Sequence, residues 1–243
     1  MKNLKYTGLL AAVFVAAAGC SAPGAVDVNP ATGSAESPAS NTAPAAPGEI
    51  DVATFINDVQ AATKALKTYH IDMNVTQVVD GESTEVAVKG KVDRSDPEKI
   101  QFDGSMSTDE MNMDLIVTKT DSYVKANGAW MKMPKANAPD MMEMLNSGTD
   151  LLLSAKDSVQ SVKHVGDETI GGEAMRHYEV TITMATSVFA GLSGDSVVMD
   201  LWLDDKNFER KLEVSAEEDK DNSGAFKVSW SDINKKVTVK API

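Results

Sequence analysis

The chain of 243 residues has a single cysteine, Cys20, so no disulfide can form within it and the fold must be held by its core. Aromatic residues are scarce at 5%, and histidine is limited to the well-separated His70, His164 and His177. No apolar run reaches the roughly 20 residues that a membrane-spanning helix needs. Cations are in deficit, with 23 Lys and Arg against 36 Asp and Glu and a net charge of −13, which argues against nucleic acid as a partner. G-x-S-x-G, H-E-x-x-H and Gly-rich phosphate loops are all missing. Gly194-Asp195-Ser196 has the first letters of a GDSL-hydrolase motif, but it opens a strand where that motif needs a strand-to-helix turn. The expectation is therefore a protein that is not an enzyme, with no catalytic residues, metal or cofactor.

What is present begins at the N-terminus. Lys2 and Lys5 precede an uncharged stretch from Tyr6 to Gly19, the layout of a secretory signal. Ala17-Ala18-Gly19-Cys20 resembles a bacterial lipobox, with Ala17 where Leu is usual, so residues 1–19 read as a lipoprotein signal peptide and Cys20 as the lipidation site. A single acyl chain holds a protein only marginally, whereas two anchor it stably. Residues 21–49 carry 8 Ala, 5 Pro, 4 Ser and 3 Gly and no Lys or Arg, too little apolar surface to offset ordering entropy. Residues 20–49 are thus expected to be the lipidated cysteine and a disordered stalk, and residues 50–243 one domain of ordinary size. The expected location is the extracytoplasmic face of the cell membrane. Without Lys2 and Lys5 the net charge becomes −15, so anionic head groups should repel the chain and leave the lipid as its hold on the surface.

Within the domain, Asp51 is a good N-cap, and Val52, Phe55, Ile56, Val59, Ala62 and Leu66 recur at helical spacing. The period then becomes two. Tyr69, Ile71, Met73 and Val75 alternate with His70, Asp72, Asn74 and Thr76; Val86, Val88 and Val92, then Ile100, Phe102 and Met106, then Met111, Met113, Leu115 and Val117 follow. Asn127-Gly128 marks a hairpin. Residues 137–160 read as a helical block and 185–193 as a short apolar piece. Strands resume at 173–184, 195–205, 208–218 and 224–233, with 217–222 as a charged loop. The pattern predicts an α+β domain: one large antiparallel sheet of about ten strands, apolar on one face, with helices to cover that face. A sheet of that size curls, and so few helical pieces leave room for a cavity.

The order of a lipobox, a polar stalk, one helix, the hairpin Tyr123 to Trp130, the strand Gly172 to Tyr178 and Leu201-Trp-Leu-Asp-Asp205 resembles the LppX/LprAFG lipoproteins of actinobacteria, within the LolA/LolB-like superfamily. This resemblance spans residues 50–240. It implies a half-open, U-shaped sheet with helices on its concave side, enclosing an apolar cavity for lipids or glycolipids of the cell envelope, which such proteins bind or carry. From strand phase, the candidate lining is Ile71, Met73, Val88, Phe102, Met113, Leu115, Val180 and Ile182, with Met142 and Leu145 from the helical cover. The expected partners are the membrane through the anchor, a lipid or glycolipid ligand and a membrane transporter, the chain itself being a monomer. The competing reading is a lipid-anchored platform for a partner protein in envelope assembly or signalling.

Thirteen methionines, among them Met111-x-Met113, Met131-x-Met133 and Met141-Met142-x-Met144, admit a Cu(I) reading through soft thioethers. Residues at i and i+2 share a strand face, however, and pliable Met suits a face that accommodates acyl chains. Asp204, Asp205 and Glu209 read as a solvated turn before a calcium site, and His177 as a surface histidine. Lys132, Lys135 and Lys163 would make a basic cavity mouth if they converged.

Overall fold

The computed structural model describes residues 47–133, 152–153, 155–183, 196–219 and 221–242. They form one helix and one open antiparallel sheet of twelve strands. β1 (Gly48–Ile50) leads into α1 (Val52–Ala65). A run of six hairpin-linked strands follows: β2 (Thr68–Val79), β3 (Glu82–Asp93), β4 (Gln101–Thr108), β5 (Asn112–Val117), β6 (Ser122–Ala126) and β7 (Ala129–Met133). After a 3-10 turn at Lys156–Ser158 come β8 (Val159–Ile170), β9 (Glu173–Thr183), β10 (Ser196–Leu203), β11 (Glu209–Asp219) and β12 (Asn222–Ser231).

The strand order is β1-β8-β9-β10-β11-β12-β2-β3-β4-β5-β6-β7. Two meanders therefore meet where β12 pairs with β2, Val228 opposite Met73. Among the described residues β1 and β7 are the edges and do not pair with each other, so the sheet stays open rather than closing into a barrel. Twist accumulating over twelve strands curves it.

Helix α1 forms where the sequence places it. Asp51 accepts the Thr54 amide at 2.8 Å and the Thr54 hydroxyl at 2.7 Å, satisfying an orphan donor of the first turn. Phe55, Val59 and Ala62 face the sheet, and the Phe55 ring packs 5.0 Å from that of Tyr178. At Asn127-Gly128 both residues take positive φ (51° and 80°), as a two-residue hairpin turn between twisted strands requires.

Several expectations change. The strands number twelve among the described residues. β8 escapes a period-two reading because register shifts between Val159 and Ser161 and between His164 and Gly166 each move the following side chains to the other face. Consequently Val159 and Gln160, expected to end the helical block, already belong to β8. Gly48 and Glu49, expected in the stalk, pair with His164 and Lys163 as part of β1. Of the expected loop at 217–222, residues 217–219 and 222 belong instead to β11 and β12, with Asp219 opposite Asn222. Of the helical block, Leu152 and Leu153 are helical; residues 137–151, the apolar piece at 185–193, the signal peptide, Cys20 and the stalk up to residue 46 lie outside the described residues.

Candidate functional site on the concave face

Apolar residues of one phase on every long strand form a single buried cluster. At the end of the sheet where β2 starts, called the base here, Tyr69, Val92, Phe102 and Val117 stand in one cross-strand row, followed by Ile71 and Leu115 with Gly90 and Gly104 between them. The two glycines make room for the Phe102 ring. A Cβ on Gly90 would lie 2.5 Å from Phe102 Cε2, and one on Gly104 would lie 2.5 Å from its Cζ.

Burial fades toward the opposite end, the tips, where the hairpins β2–β3, β4–β5 and β11–β12 turn. There the rows read Val214, Phe226, Val75 and Val86, and next to them Val88, Met106 and Met113. Val88 and Val214 are buried, whereas Phe226, Val75, Val86, Met106 and Met113 are half-buried. Val79 and Met111 at the tips are 43% and 52% exposed. The concave side is thus closely packed at the base and presents an apolar, partly open surface at the tips.

The expected lining residues fall on this face. Ile71, Met73, Val88, Phe102, Leu115, Val180 and Ile182 all belong to the buried cluster, and Met113 sits at its half-buried margin. Met142 and Leu145 lie outside the described residues. Strand phase missed Phe226, Val75 and Met106 as margin residues, since alternation gives the face but not the depth at which a side chain sits along it.

Apart from the buried Ile116 and Tyr123, the convex side is largely polar and internally paired. Lys89 meets Asp72 at 2.9 Å, Lys125 meets Asp114 at 3.4 Å and Lys163 meets Glu179 at 3.1 Å. Lys132 is held by Asp121, whose hydrogen bond and charge raise the ammonium above its ordinary pKa. Lys132 and Lys163 sit on opposite flanks of the sheet, β7 and β8, each with its own carboxylate, so they do not make a common basic mouth; Lys135 lies outside the described residues. A shallow cleft of about 320 Å³ on this side is lined by His70, Ile71, Asp72, Lys89, Gly90, Lys91, Asp103 and Ser231, a mostly charged and polar set unsuited to acyl chains.

His177 is not a plain surface histidine. Its ring, 12% exposed, stacks on Trp202 at 4.3 Å, and its Nδ1 and Nε2 lie 2.9 Å from Glu168 and Asp200 respectively. Trp202 Nε1 donates to Glu168 at 3.0 Å, and the Lys211 ammonium covers the other face of the indole at 4.1 Å. This knot ties β8, β9, β10 and β11 together on the convex side. Asp204 behaves as a turn residue: its Oδ1 accepts the amides of Lys206 at 2.9 Å and Phe208 at 3.0 Å.

Residues 51–199 match DUF6612, a family of unknown function. The chain belongs to this family. No curated protein matches this DUF6612 member by sequence. Among solved structures it is similar to LprF from Mycobacterium bovis, at 19% identity and a TM-score of 0.59 over 79% of this chain and 96% of LprF. It is also similar to the lipoprotein LppX from Mycobacterium tuberculosis, at 18% identity and a TM-score of 0.52 over 78% of this chain and 98% of LppX. At these identities the likeness is one of fold. It places the DUF6612 chain in the fold shared with LppX and LprF. Among the described residues, no helix is long and apolar enough to cross a membrane.

Proposed function

We propose that this protein is a lipid-binding lipoprotein of the cell envelope, without enzymatic activity, anchored through Cys20 and carrying lipid or glycolipid between membranes or membrane proteins. The observation that carries the reading is the concave face itself. One apolar surface runs from a packed base to a half-exposed margin where Val75, Met106 and Phe226 lie against the buried cluster and Val86 and Met113 pair beside them. A face of that kind offers an acyl chain somewhere to enter and somewhere to end. Each methylene moved from water onto it contributes about 0.8 kcal/mol, so two long chains are held firmly and release needs a membrane or a partner. The fold shared with the lipoprotein LppX supports the same reading, as do the lipobox-like residues before Cys20.

The test is to block the margin. Met106→Trp and Met113→Trp fill half-exposed positions, so the protein should keep its melting temperature and lose co-purifying lipid. Unchanged lipid content in both variants would count against the concave face as the binding site. Val88 and Leu115, at 2% and 1% exposure, are too tightly packed for this purpose, because an indole there would disrupt the cluster itself.

A further inference from the structure

Net charge alone says that an anionic membrane repels this protein, but the charges are not evenly placed. At the tips, Asp80, Glu82, Glu85, Asp109, Glu110 and Asp221 crowd the turns of three adjacent hairpins, where the sequence sets a single cation, Lys220, against them. Two of these hairpins are joined, Gly81 donating its amide to the Asp221 carbonyl at 2.9 Å. At the base the balance differs. The segment after β12, residues 232–243, carries Lys235, Lys236 and Lys240 against one acid, Asp232, in a chain with 36 acids. Its valines, Val237 and Val239, are half-buried, while Lys236 and Lys240 are exposed.

That segment is pinned to the base. Asn234 accepts the Lys67 amide at 2.7 Å, donates its side-chain amide to Ala65 O at 3.2 Å and donates its backbone amide to Thr68 O at 2.7 Å. The Thr68 hydroxyl donates to Lys235 O at 2.6 Å. Lys235 is engaged by Asp232 at 2.7 Å. The other base loops lean acidic, with Arg94 and Lys99 among Asp93, Asp96 and Glu98, and Lys206 beside Asp204 and Asp205, so positive charge at the base is concentrated in this segment.

We propose that residues 233–242 are a cationic foot that seats the base of the domain on an anionic lipid surface and turns the acidic, apolar-lined tips away from the membrane that anchors it. Distance decides the sign. The twelve residues of β2 separate base from tips by about 40 Å at ~3.3 Å per residue. The screening length at physiological ionic strength is about 8 Å, so the tip acids are not felt at a surface that the base touches. The occupant is lipid because the proposed anchor keeps lipid within reach; this step rests on the reading of Cys20 given above. A coil with the composition and length of residues 21–47 reaches on the order of 30 Å, which permits either orientation, so charge makes the choice. The tips then face outward, where a donor or acceptor of lipid would meet them.

The experiment uses the full lipidated chain in vesicles of phosphatidylcholine, with or without about 30% phosphatidylglycerol. A fluorophore is placed on Thr238→Cys in the foot or on Glu110→Cys at a tip, and quenching by lipid-borne spin label is compared. The Thr238 label should be quenched roughly tenfold more than the Glu110 label on the anionic vesicles, and the difference should vanish at about 0.5 M salt or in Lys236→Glu/Lys240→Glu. Equal quenching at both sites, or a difference that survives the double reversal, overturns the foot. Flotation at the same high salt reports the anchor alone. A chain that floats there with equal quenching loses the foot and keeps the anchor; one that sinks there but shows the foot's contact at low salt loses the anchor and keeps the foot.

Discussion

Replacing Gly104 by alanine tests whether the concave face is shaped as described. The new methyl would lie 2.2 Å from the Lys89 carbonyl oxygen, 2.5 Å from Phe102 Cζ and 2.6 Å from Gly90 Cα. Ordinary carbon contacts lie near 3.5–4.0 Å, so each neighbour must retreat by about 1 Å or more. Phe102, 1% exposed, can move only into a packed cluster. The Lys89 oxygen and Gly90 Cα are backbone of β3 and can move only by shifting the strand. Overpacking typically costs about 1–3 kcal/mol, and a clash with backbone on two sides belongs at the top of that range or beyond it. Urea unfolding should show a loss of about 3 kcal/mol at unchanged m-value. In a Phe102→Leu background the further cost of Gly104→Ala should shrink without vanishing, since the leucine relieves the ring but not the carbonyl. A loss below about 0.5 kcal/mol in the single variant would refute the packing of Phe102 across the glycine pair.

Other perturbations read other parts of the molecule. His177→Ala removes the ring held between Glu168 and Asp200 and unstacks Trp202; thermal unfolding should report a loss of about 1–2 kcal/mol, and a neutral result would make the convex knot decorative. Thr54 holds the Asp51 carboxyl below its usual range through its hydroxyl and amide, so the cap's contribution is present above about pH 4 and fades as acid protonates the folded form. Asp51→Asn keeps a capping oxygen, so its acid unfolding curve should lose that component and its neutral-pH stability should change little. Burial pushes the Tyr178 phenol up, with Arg176 opposing, so its contribution is intact below about pH 10 and is lost as pH rises further. Tyr178→Phe should therefore be the more resistant protein in alkaline unfolding, and identical alkaline midpoints would speak against that burial.

How much of this could be read from the residues depends on where regularity holds. The strands β2 to β4 alternate cleanly, and their phase, carried on to Leu115 of β5, places Ile71, Met73, Val88, Phe102 and Leu115 together with no other information. Asp51 with Thr54 and Asn127-Gly128 are local signals whose geometry is complete within four residues. β8 is hidden because two bulges change its phase within twelve residues. β1 is hidden because three residues in a Pro/Ala-rich setting carry no period at all, and their pairing with β8 is decided more than one hundred positions away. The grading from dry base to open tips is likewise non-local: Val75 and Met73 look alike in sequence, and only the curvature of the sheet and the passage of α1 set how deep each one lies. The His177 knot escapes for a similar reason, since its members come from four strands and each alone reads as an ordinary surface residue.

The central claim is that the concave face holds lipid, and the most direct measurement is native mass spectrometry of residues 47–243, which lack the anchoring cysteine, expressed in an actinobacterial host, followed by extraction and lipid analysis. The account predicts a stoichiometric mass addition that resolves into a lipid or glycolipid bearing acyl chains, and that is lost in Met113→Trp while the variant remains folded. A clean mass without adduct, from protein shown to be folded and never exposed to detergent, would contradict it.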